Sequence, residues 1–324
     1  MASRILRALL STLFCLVFLS PAYGQERLSV VAHMFPSGSL PDQAAQAFSE
    51  RLAAANIGGV RVVGDALLGD EQRNFRELGQ DKIAFAITGD LLISSVVPSF
   101  SAVNLPFMQN SMAHSLAPFK TQKTYSRFQG LLGQYRVRHL ATLCLGTRYV
   151  TANLPVRSLE DVKGLKLRLP NDRVWSAVWQ TLGAETINVP FPDLPSALNS
   201  GLVAAQENPP GLIRAAKLNE VQKYLIDTQH YFQRQFILVS SSLYEATAPE
   251  NQNRVTKAAQ ETAEDVCNRT TEAEKRDLDW LINEGGMELI KFDRKGIEAT
   301  VNSVYLTQIA TERDADVEAL VGVQ

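Results

Sequence analysis

The sequence predicts an α/β protein of two domains, with helices packed on the faces of a sheet. Its 324 residues suffice for two ordinary domains, and 45% hydrophobic and 20% charged residues are typical of a globular chain. Short apolar segments alternate with amphipathic ones, the pattern of strands that alternate with helices. A helical segment of some 30 residues, roughly from Pro249 to Asn283, would span about 45 Å, more than the width of one small domain. We therefore expect this helix to lie across both domains.

Residues 27–134 are predicted to alternate between strands and helices. Thr88, Gly89 and Asp90 follow an apolar strand, and open α/β sheets usually bind ligands at such strand ends. The predicted strands lie at 27–32, 60–63, 83–87 and 103–107. One predicted helix starts near Pro41, and two others lie at 70–78 and 111–134.

A half-buried strand in the middle of the chain ends at an arginine. Leucines alternate with Lys166 and Arg168 over residues 165–169, which is the period of a strand with one buried face. Pro170 stops the pairing. Ahead of this strand, Ser158 and Asp161 have the spacing of a capping box. Two further strands are predicted on either side of Gly146, at 136–145 and 148–153, and two more at 224–226 and 236–239. A helix is predicted at 171–182. Its Trp175 and Trp179 are expected to pack in the core rather than to form an aromatic ligand box.

The first 24 residues are predicted to be a cleaved secretory signal. Arg4 and Arg7 precede an apolar run from Ala8 to Leu19, and Ala22-Tyr23-Gly24 supplies small residues at the cleavage site. An N-terminal membrane anchor is the alternative, but the run is shorter than the roughly 20 residues that span a bilayer. We therefore expect an exported, periplasmic protein.

Charge and cysteine content restrict the partners of the mature protein. The signal contains Arg4 and Arg7 and no acid, so 30 Lys+Arg and 34 Asp+Glu remain, a net charge of −4. This charge argues against nucleic-acid binding. Cys144 and Cys267 remain in an oxidising compartment, where we expect two buried free thiols, with a disulfide as the alternative.

The catalytic motifs that a sequence can reveal are missing. There is no G-x-G-x-x-G, P-loop or G-x-S-x-G pattern. The four histidines, His33, His114, His139 and His230, are far apart and do not form an H-E-x-x-H motif. We expect a binding protein without metal or cofactor, not an enzyme. Two arginines near strand ends, Arg148 and Arg168, suggest instead that a carboxylate is bound, because guanidinium pairs with it in a planar, bidentate geometry.

The segment from Ser158 to Pro210 contains several short motifs in a distinctive order. These motifs are Leu159-Glu160-Asp161, Lys163 to Arg168, Leu182-Gly183-Ala184, Pro190-Phe191 and Gln206-Glu207-Asn208-Pro209. With this order and spacing, the segment resembles the solute receptors of tripartite ATP-independent periplasmic (TRAP) transporters, of the dicarboxylate-receptor type. Weaker similarity extends over almost the whole mature chain.

The resemblance implies two α/β lobes that are connected by crossing strands and by the long helix, with a ligand cleft between them that closes by hinge motion. We expect lobe I to comprise 25–145 and about 234–270, and lobe II to comprise 146–233 and about 271–324. The resemblance also implies a monomer that delivers a small organic acid to the integral membrane subunits of the transporter.

The resemblance further assigns roles to residues of this chain. By matching position, Arg168 binds the ligand carboxylate, Arg148 is a second cationic contact, and Asn208 is a hydrogen-bonding residue of the cleft. Phe191 forms an apolar wall, for which core packing is the alternative. Gln233 occupies a variable polar position, and weaker candidates are Thr88, Gly89, Asp90, Met34 and Phe35.

One pair of residues departs from the family pattern. The family usually has Asp-Gly before Gln-Glu-Asn-Pro, whereas this chain has Ala204-Ala205. We expect its ligand specificity to differ from that of a simple dicarboxylate receptor. Two other functions remain alternatives: a periplasmic enzyme on the same scaffold, and a sensing module that presents its closed form to a membrane receptor.

Overall fold

A computed structural model describes residues 28–304. The described chain contains nine strands and twelve α-helices. The strands are β1 Leu28–Ala32, β2 Arg61–Val63, β3 Ile83–Gly89, β4 Val137–Ala152, β5 Lys166–Leu169, β6 Glu185–Asn188, β7 Ala205–Asn208, β8 Tyr224–Ser240 and β9 Glu288–Lys291. The helices are α1 Leu40–Ala54, α2 Glu71–Gly79, α3 Asp90–Val96, α4 Met112–Leu116, α5 Gln122–Gly133, α6 Leu159–Val162, α7 Arg173–Thr181, α8 Leu194–Asn199, α9 Pro210–Ala215, α10 Ser241–Ala246, α11 Pro249–Asn283 and α12 Ile297–Val304.

All nine described strands belong to one mixed sheet with the order β2-β1-β3-β8-β4-β7-β5-β6, and β9 pairs with β8. The two long strands at its centre, β4 and β8, are antiparallel to each other. Parallel pairs lie on either side, with β1 between β2 and β3 and with β5 between β6 and β7. The sheet therefore has a β2–β1–β3 side and a β7–β5–β6 side, which the two long strands connect.

Each side of the sheet has a hydrophobic core on both of its faces. On the β2–β1–β3 side, Val30 and Ala32 belong to one core and Val31 to the other, because successive residues of a strand point to opposite faces. On the opposite side, Val150 and Tyr149 divide between two further cores in the same way. This arrangement confirms the predicted two-lobed α/β fold.

Helix α11 ends where the sequence predicted and contacts both sides of the sheet. Its 35 residues span about 52 Å. Val255 and Val266 pack in a core of the β2–β1–β3 side, whereas Leu281 packs in a core of the β7–β5–β6 side. The tryptophans of α7, Trp175 and Trp179, are buried in a core as predicted.

Several predicted boundaries were wrong, both in the two central strands and in the helical segments between β3 and β4. The segments predicted as four separate strands form the two continuous strands β4 and β8. Gly146 did not end the strand, because its positive φ of 113° lies at a β-bulge that the ladder continues past. Residues 98–103 form a 3₁₀ helix and no strand covers 103–107. The predicted helix at 111–134 is divided into α4, a 3₁₀ turn and α5.

The two cysteines form a disulfide bond, so the expectation of two free thiols was wrong. Cys144 in β4 and Cys267 in α11 have Cα atoms 4.8 Å apart. The same helix also contacts the bulge of β4, since Thr270 Oγ1 donates to the carbonyl of Cys144 at 3.0 Å. Glu274 Oε2 accepts from the amide of Thr147 at 2.8 Å. Helix α11 is therefore attached covalently and by hydrogen bonds to the middle of a crossing strand.

Within residues 28–304, none of the helices combines the length and the apolar character that a membrane span requires.

Candidate functional site

Arg168 is a buried cation whose two Nη groups lack a partner among residues 28–304. It lies in β5 with 3% of its surface exposed. Its Nε donates to the carbonyl of Val189 at 2.8 Å. Neither of its Nη groups has a hydrogen-bond or ion-pair partner among the described residues. Burial lowers the pKa of Arg168 to about 10, and the negative charges of Glu207 and Glu71 oppose that decrease. The guanidinium therefore stays charged at neutral pH and can bind one planar anion, such as a carboxylate.

Arg168 lines a cavity of about 310 Å³ between the two sides of the sheet. This volume lies at the lower end of the range for small-molecule sites. The polar part of the wall includes Asp70, Glu71, Gln72, Ser95, Asn171 and Asn188, and the apolar part includes Met34, Leu92, Pro170, Val189, Pro190 and Phe191. The cavity therefore offers one cation, several hydrogen-bonding groups and an aromatic wall.

A buried ion pair occupies the strand ends next to Arg168. Glu207 in β7 accepts from Arg148 Nε and, at 2.8 Å, from Arg148 Nη2. Arg148 Nη1 donates to Gln233 Oε1, and Nη2 also donates to Asn208 Oδ1 at 3.2 Å. Every nitrogen of this guanidinium thus has a protein partner, which distinguishes Arg148 from Arg168.

The charge of this pair is balanced within the protein. Burial disfavours ionisation of Glu207, but the positive charge of Arg148 and hydrogen bonds from His230 and Arg148 outweigh burial and lower the pKa of this carboxyl. Burial lowers the pKa of His230, so the imidazole is neutral. It donates from Nε2 to Glu207 Oε2 at 3.1 Å, while Nδ1 faces Thr228 Oγ1 at 2.8 Å. The pair contributes no net charge to the cavity.

Asp90 belongs to a second buried ion pair and not to the cavity wall. Its Oδ2 accepts from Arg234 Nε at 2.8 Å and from the Tyr231 hydroxyl at 2.6 Å. Thr88, two residues earlier, is fully buried at the end of β3, where it pairs with Phe236 of β8. Neither residue is among those that line the cavity.

Phe35 and Phe191 connect the two sides of the sheet. Phe191 lines the cavity and also packs in a core of the β7–β5–β6 side. Phe35, from the loop after β1, is buried behind it, and the two rings are tilted with centroids 6.1 Å apart. Of the predicted site residues, Arg168, Phe191 and Met34 line the cavity. Arg148, Asn208 and Gln233 form the adjacent network.

Glu71 is a residue of the cavity wall that sequence reasoning missed. It is the first residue of α2, and its Oε1 accepts from the amide of Gly89 at 2.5 Å. Gly89 also lies close to Gln233, since a Cβ at this glycine would be 3.3 Å from Glu71 Oε1 and 3.5 Å from Gln233 Nε2. Burial raises the pKa of Glu71 to about 7. The sequence signal was the acidic pair Asp70-Glu71 at the start of a polar helix.

The fold and this site define a two-lobed solute-binding protein with a small interlobe cavity. The chain belongs to the bacterial extracellular solute-binding protein family 7, whose family model matches residues 31–309. It is 27% identical over 303 residues to a solute-binding protein of Roseobacter denitrificans, an alignment that covers 93% of each chain. It is also 27% identical over 272 residues to the sialic acid-binding periplasmic protein SiaP of Vibrio cholerae, covering 83% of this chain and 84% of SiaP.

Solved structures agree with this assignment. A TRAP periplasmic solute-binding protein of Roseobacter denitrificans, solved with bound L-galactonate, superposes with a TM-score of 0.82 at 26% identity and covers 90% of this chain and 97% of that one. A sugar acid-binding protein of Advenella mimigardefordensis, solved with galactonate, has the same fold, with a TM-score of 0.84 at 22% identity and with 91% and 97% of the two chains covered. The chain is a solute receptor of the TRAP type and not an enzyme, as the sequence predicted.

Proposed function

We propose that this receptor captures a sugar acid, whose carboxylate pairs with Arg168. The observation that supports this most strongly is the buried guanidinium in the cavity wall, whose two Nη groups have no partner in the part of the chain that the structure describes. Burying a cation without a partner costs free energy. An anion that accepts two parallel hydrogen bonds is therefore bound in preference to a neutral ligand. Gln72, Ser95 and Asn188 of the same wall offer amide and hydroxyl groups to ligand hydroxyls.

The relatives support an acid of this class. One relative is named for sialic acid and another, from Escherichia coli, for 2,3-diketo-L-gulonate. The Roseobacter structure contains L-galactonate. In the proposal, Arg148, Asn208 and Gln233 hold the cavity floor through the Glu207 network, and Phe191 with Phe35 forms its apolar wall.

The proposal includes the partners and the location of the receptor. After removal of residues 1–24, the monomer acts in the periplasm and docks on the integral membrane subunits of a TRAP transporter, with no nucleic-acid partner. We propose lobe boundaries at residues 145/146 in β4 and 233/234 in β8, because the bulge after Cys144 lies beside both. Closure of the lobes would remove water from the cavity and strengthen the Arg168 contact.

A matched ligand panel tests the sugar-acid assignment. Purified mature protein is titrated calorimetrically with galactonate, galacturonate and N-acetylneuraminate, and with galactitol and galactose as neutral counterparts. We expect at least one acid to bind and both neutral compounds to bind at least about 100-fold more weakly. Equal affinity for an acid and its neutral counterpart would contradict the role of Arg168.

A further inference from the structure

The ionisable groups in the cavity wall suggest how the receptor selects among acids. Among the described wall residues, these groups are Asp70, Glu71 and Arg168. The nearby Arg148 is neutralised by Glu207, and Asp90 is paired with Arg234. The wall therefore offers one cation, enough for one carboxylate, beside two acidic side chains.

The two acidic side chains differ in their surroundings. Asp70 caps α2, because its side chain accepts from the amide of Arg73 at 2.9 Å. One carboxylate oxygen of Glu71 accepts a hydrogen bond from the amide of Gly89, at the end of β3, and the side chain is partly buried in the wall. Of the two acids, Glu71 is therefore the one held against the strand end that borders the cavity.

Glu71 and Arg168 come from opposite sides of the sheet. The wall residues at positions 70–72 belong to the start of α2, next to β3, whereas those at 168–171 belong to the end of β5. The negative charge of Glu71 acts on Arg168. A ligand whose carboxylate pairs with Arg168 thus extends toward the β2–β1–β3 side, where Glu71 lies.

We propose that Glu71 is a specificity-determining residue that restricts this receptor to acids with a single carboxylate. This inference rests on the proposed pairing of the ligand carboxylate with Arg168. A hydroxyl at the far end of the ligand can donate to Glu71, whereas a second carboxylate there meets a like charge with no further cation to offset it. Diacids of the same length are therefore rejected.

Three matched ligands test the inference without any mutation. Galactonate, galactarate and the monoamide of galactarate share one carbon skeleton and differ at one end. That end is a neutral hydroxyl in galactonate, a charged carboxylate in galactarate and a neutral amide in the monoamide. Titrations at about pH 8 keep Glu71 ionised, since burial raises its pKa to about 7. We expect galactarate to bind at least about 100-fold more weakly than the other two. Equal binding of galactarate and its monoamide would overturn the role of Glu71.

A variant provides the second measurement. Glu71→Gln removes the charge and retains a carbonyl oxygen for the Gly89 amide. We expect it to bind galactarate at least about tenfold more tightly than wild type does. The control Glu160→Gln removes one acid whose side chain is 78% exposed and outside the cavity wall, so its selectivity should equal that of wild type. A Glu71→Gln protein that still rejects galactarate would overturn the inference.

Two results distinguish a failure of the proposed function from a failure of the inference about Glu71. If Arg168→Lys left galactonate binding unchanged, the carboxylate assignment would be wrong whatever the Glu71 variant did. If Arg168→Lys abolished binding while Glu71→Gln changed no selectivity, only the inference about Glu71 would be wrong.

Discussion

Replacing Arg168 with methionine should abolish ligand binding and leave the protein folded. The change removes the guanidinium but keeps an unbranched side chain that fills much of the same space. Among the described residues, Arg168 has one hydrogen-bond partner, the carbonyl of Val189, to which Nε donates at 2.8 Å. Losing that bond costs about 1 kcal/mol, and removing a buried cation that has no ion-pair partner within residues 28–304 offsets part of this cost. We therefore expect the free energy of unfolding to change by less than about 2 kcal/mol.

The effect on binding should be much larger. Two charge-assisted hydrogen bonds from the Nη groups contribute about 1.5–3 kcal/mol each. Their loss weakens binding by about 3–6 kcal/mol, which corresponds to roughly a 10²- to 10⁴-fold increase in Kd. Calorimetric titration with galactonate measures this change, and urea unfolding measures stability on the same preparation.

A control on the same strand separates this effect from a loss of general charge. Lys166→Met removes one positive charge from β5 at an exposed position outside the cavity wall. Its Kd should lie within about threefold of wild type, because exposed charges are screened by water and salt. A folded Arg168→Met protein that binds within about tenfold of wild type would refute the reasoning.

Three further predictions concern the network, the disulfide and pH. Glu207→Gln should lower the free energy of unfolding by about 3–5 kcal/mol, measured by urea unfolding, because Arg148 then lies buried beside a neutral group. Reduction of the Cys144–Cys267 bond should lower stability by about 5 kcal/mol at most, since it opens a loop with a sequence separation of 123. Burial raises the pKa of Asp172 from 3.8 to about 6, so the stability from its protonated form is complete below about pH 4 and is lost as pH rises through about 6. Asp172→Asn should remove this loss, measured as the difference between variant and wild type in urea unfolding across that range.

Each of these predictions has a clear contrary result. Unchanged stability in Glu207→Gln would mean that Arg148 does not depend on this carboxylate. Identical urea midpoints before and after reduction would show that the disulfide does not constrain the unfolded chain. A constant difference between Asp172→Asn and wild type from about pH 4 to 7 would show that Asp172 ionises normally in the folded state.

Local patterns predicted much of the fold because they depend on neighbouring residues. The alternation at 165–169 located β5 and Arg168, and the apolar periodicity after Pro249 located α11 to its last residue. The same reasoning failed at Gly146, because a glycine with positive φ ends many strands but here forms a bulge inside one. Only pairing with β8 along the whole of β4 decides between these outcomes.

The sequence by itself thus determined the α/β class, the long helix and the arginine that lines the cavity, whereas the predicted signal at residues 1–24 lies outside the described residues. Only the tertiary structure decided which of the two arginines, Arg148 or Arg168, has Nη groups without a partner among the described residues. Arg148 and Glu207 are 59 residues apart, and Cys144 and Cys267 are 123 apart. Such contacts depend on which strands and helices become neighbours, and no local periodicity records this. Glu71 enters the cavity wall for the same reason, since its partner Gly89 lies on another element.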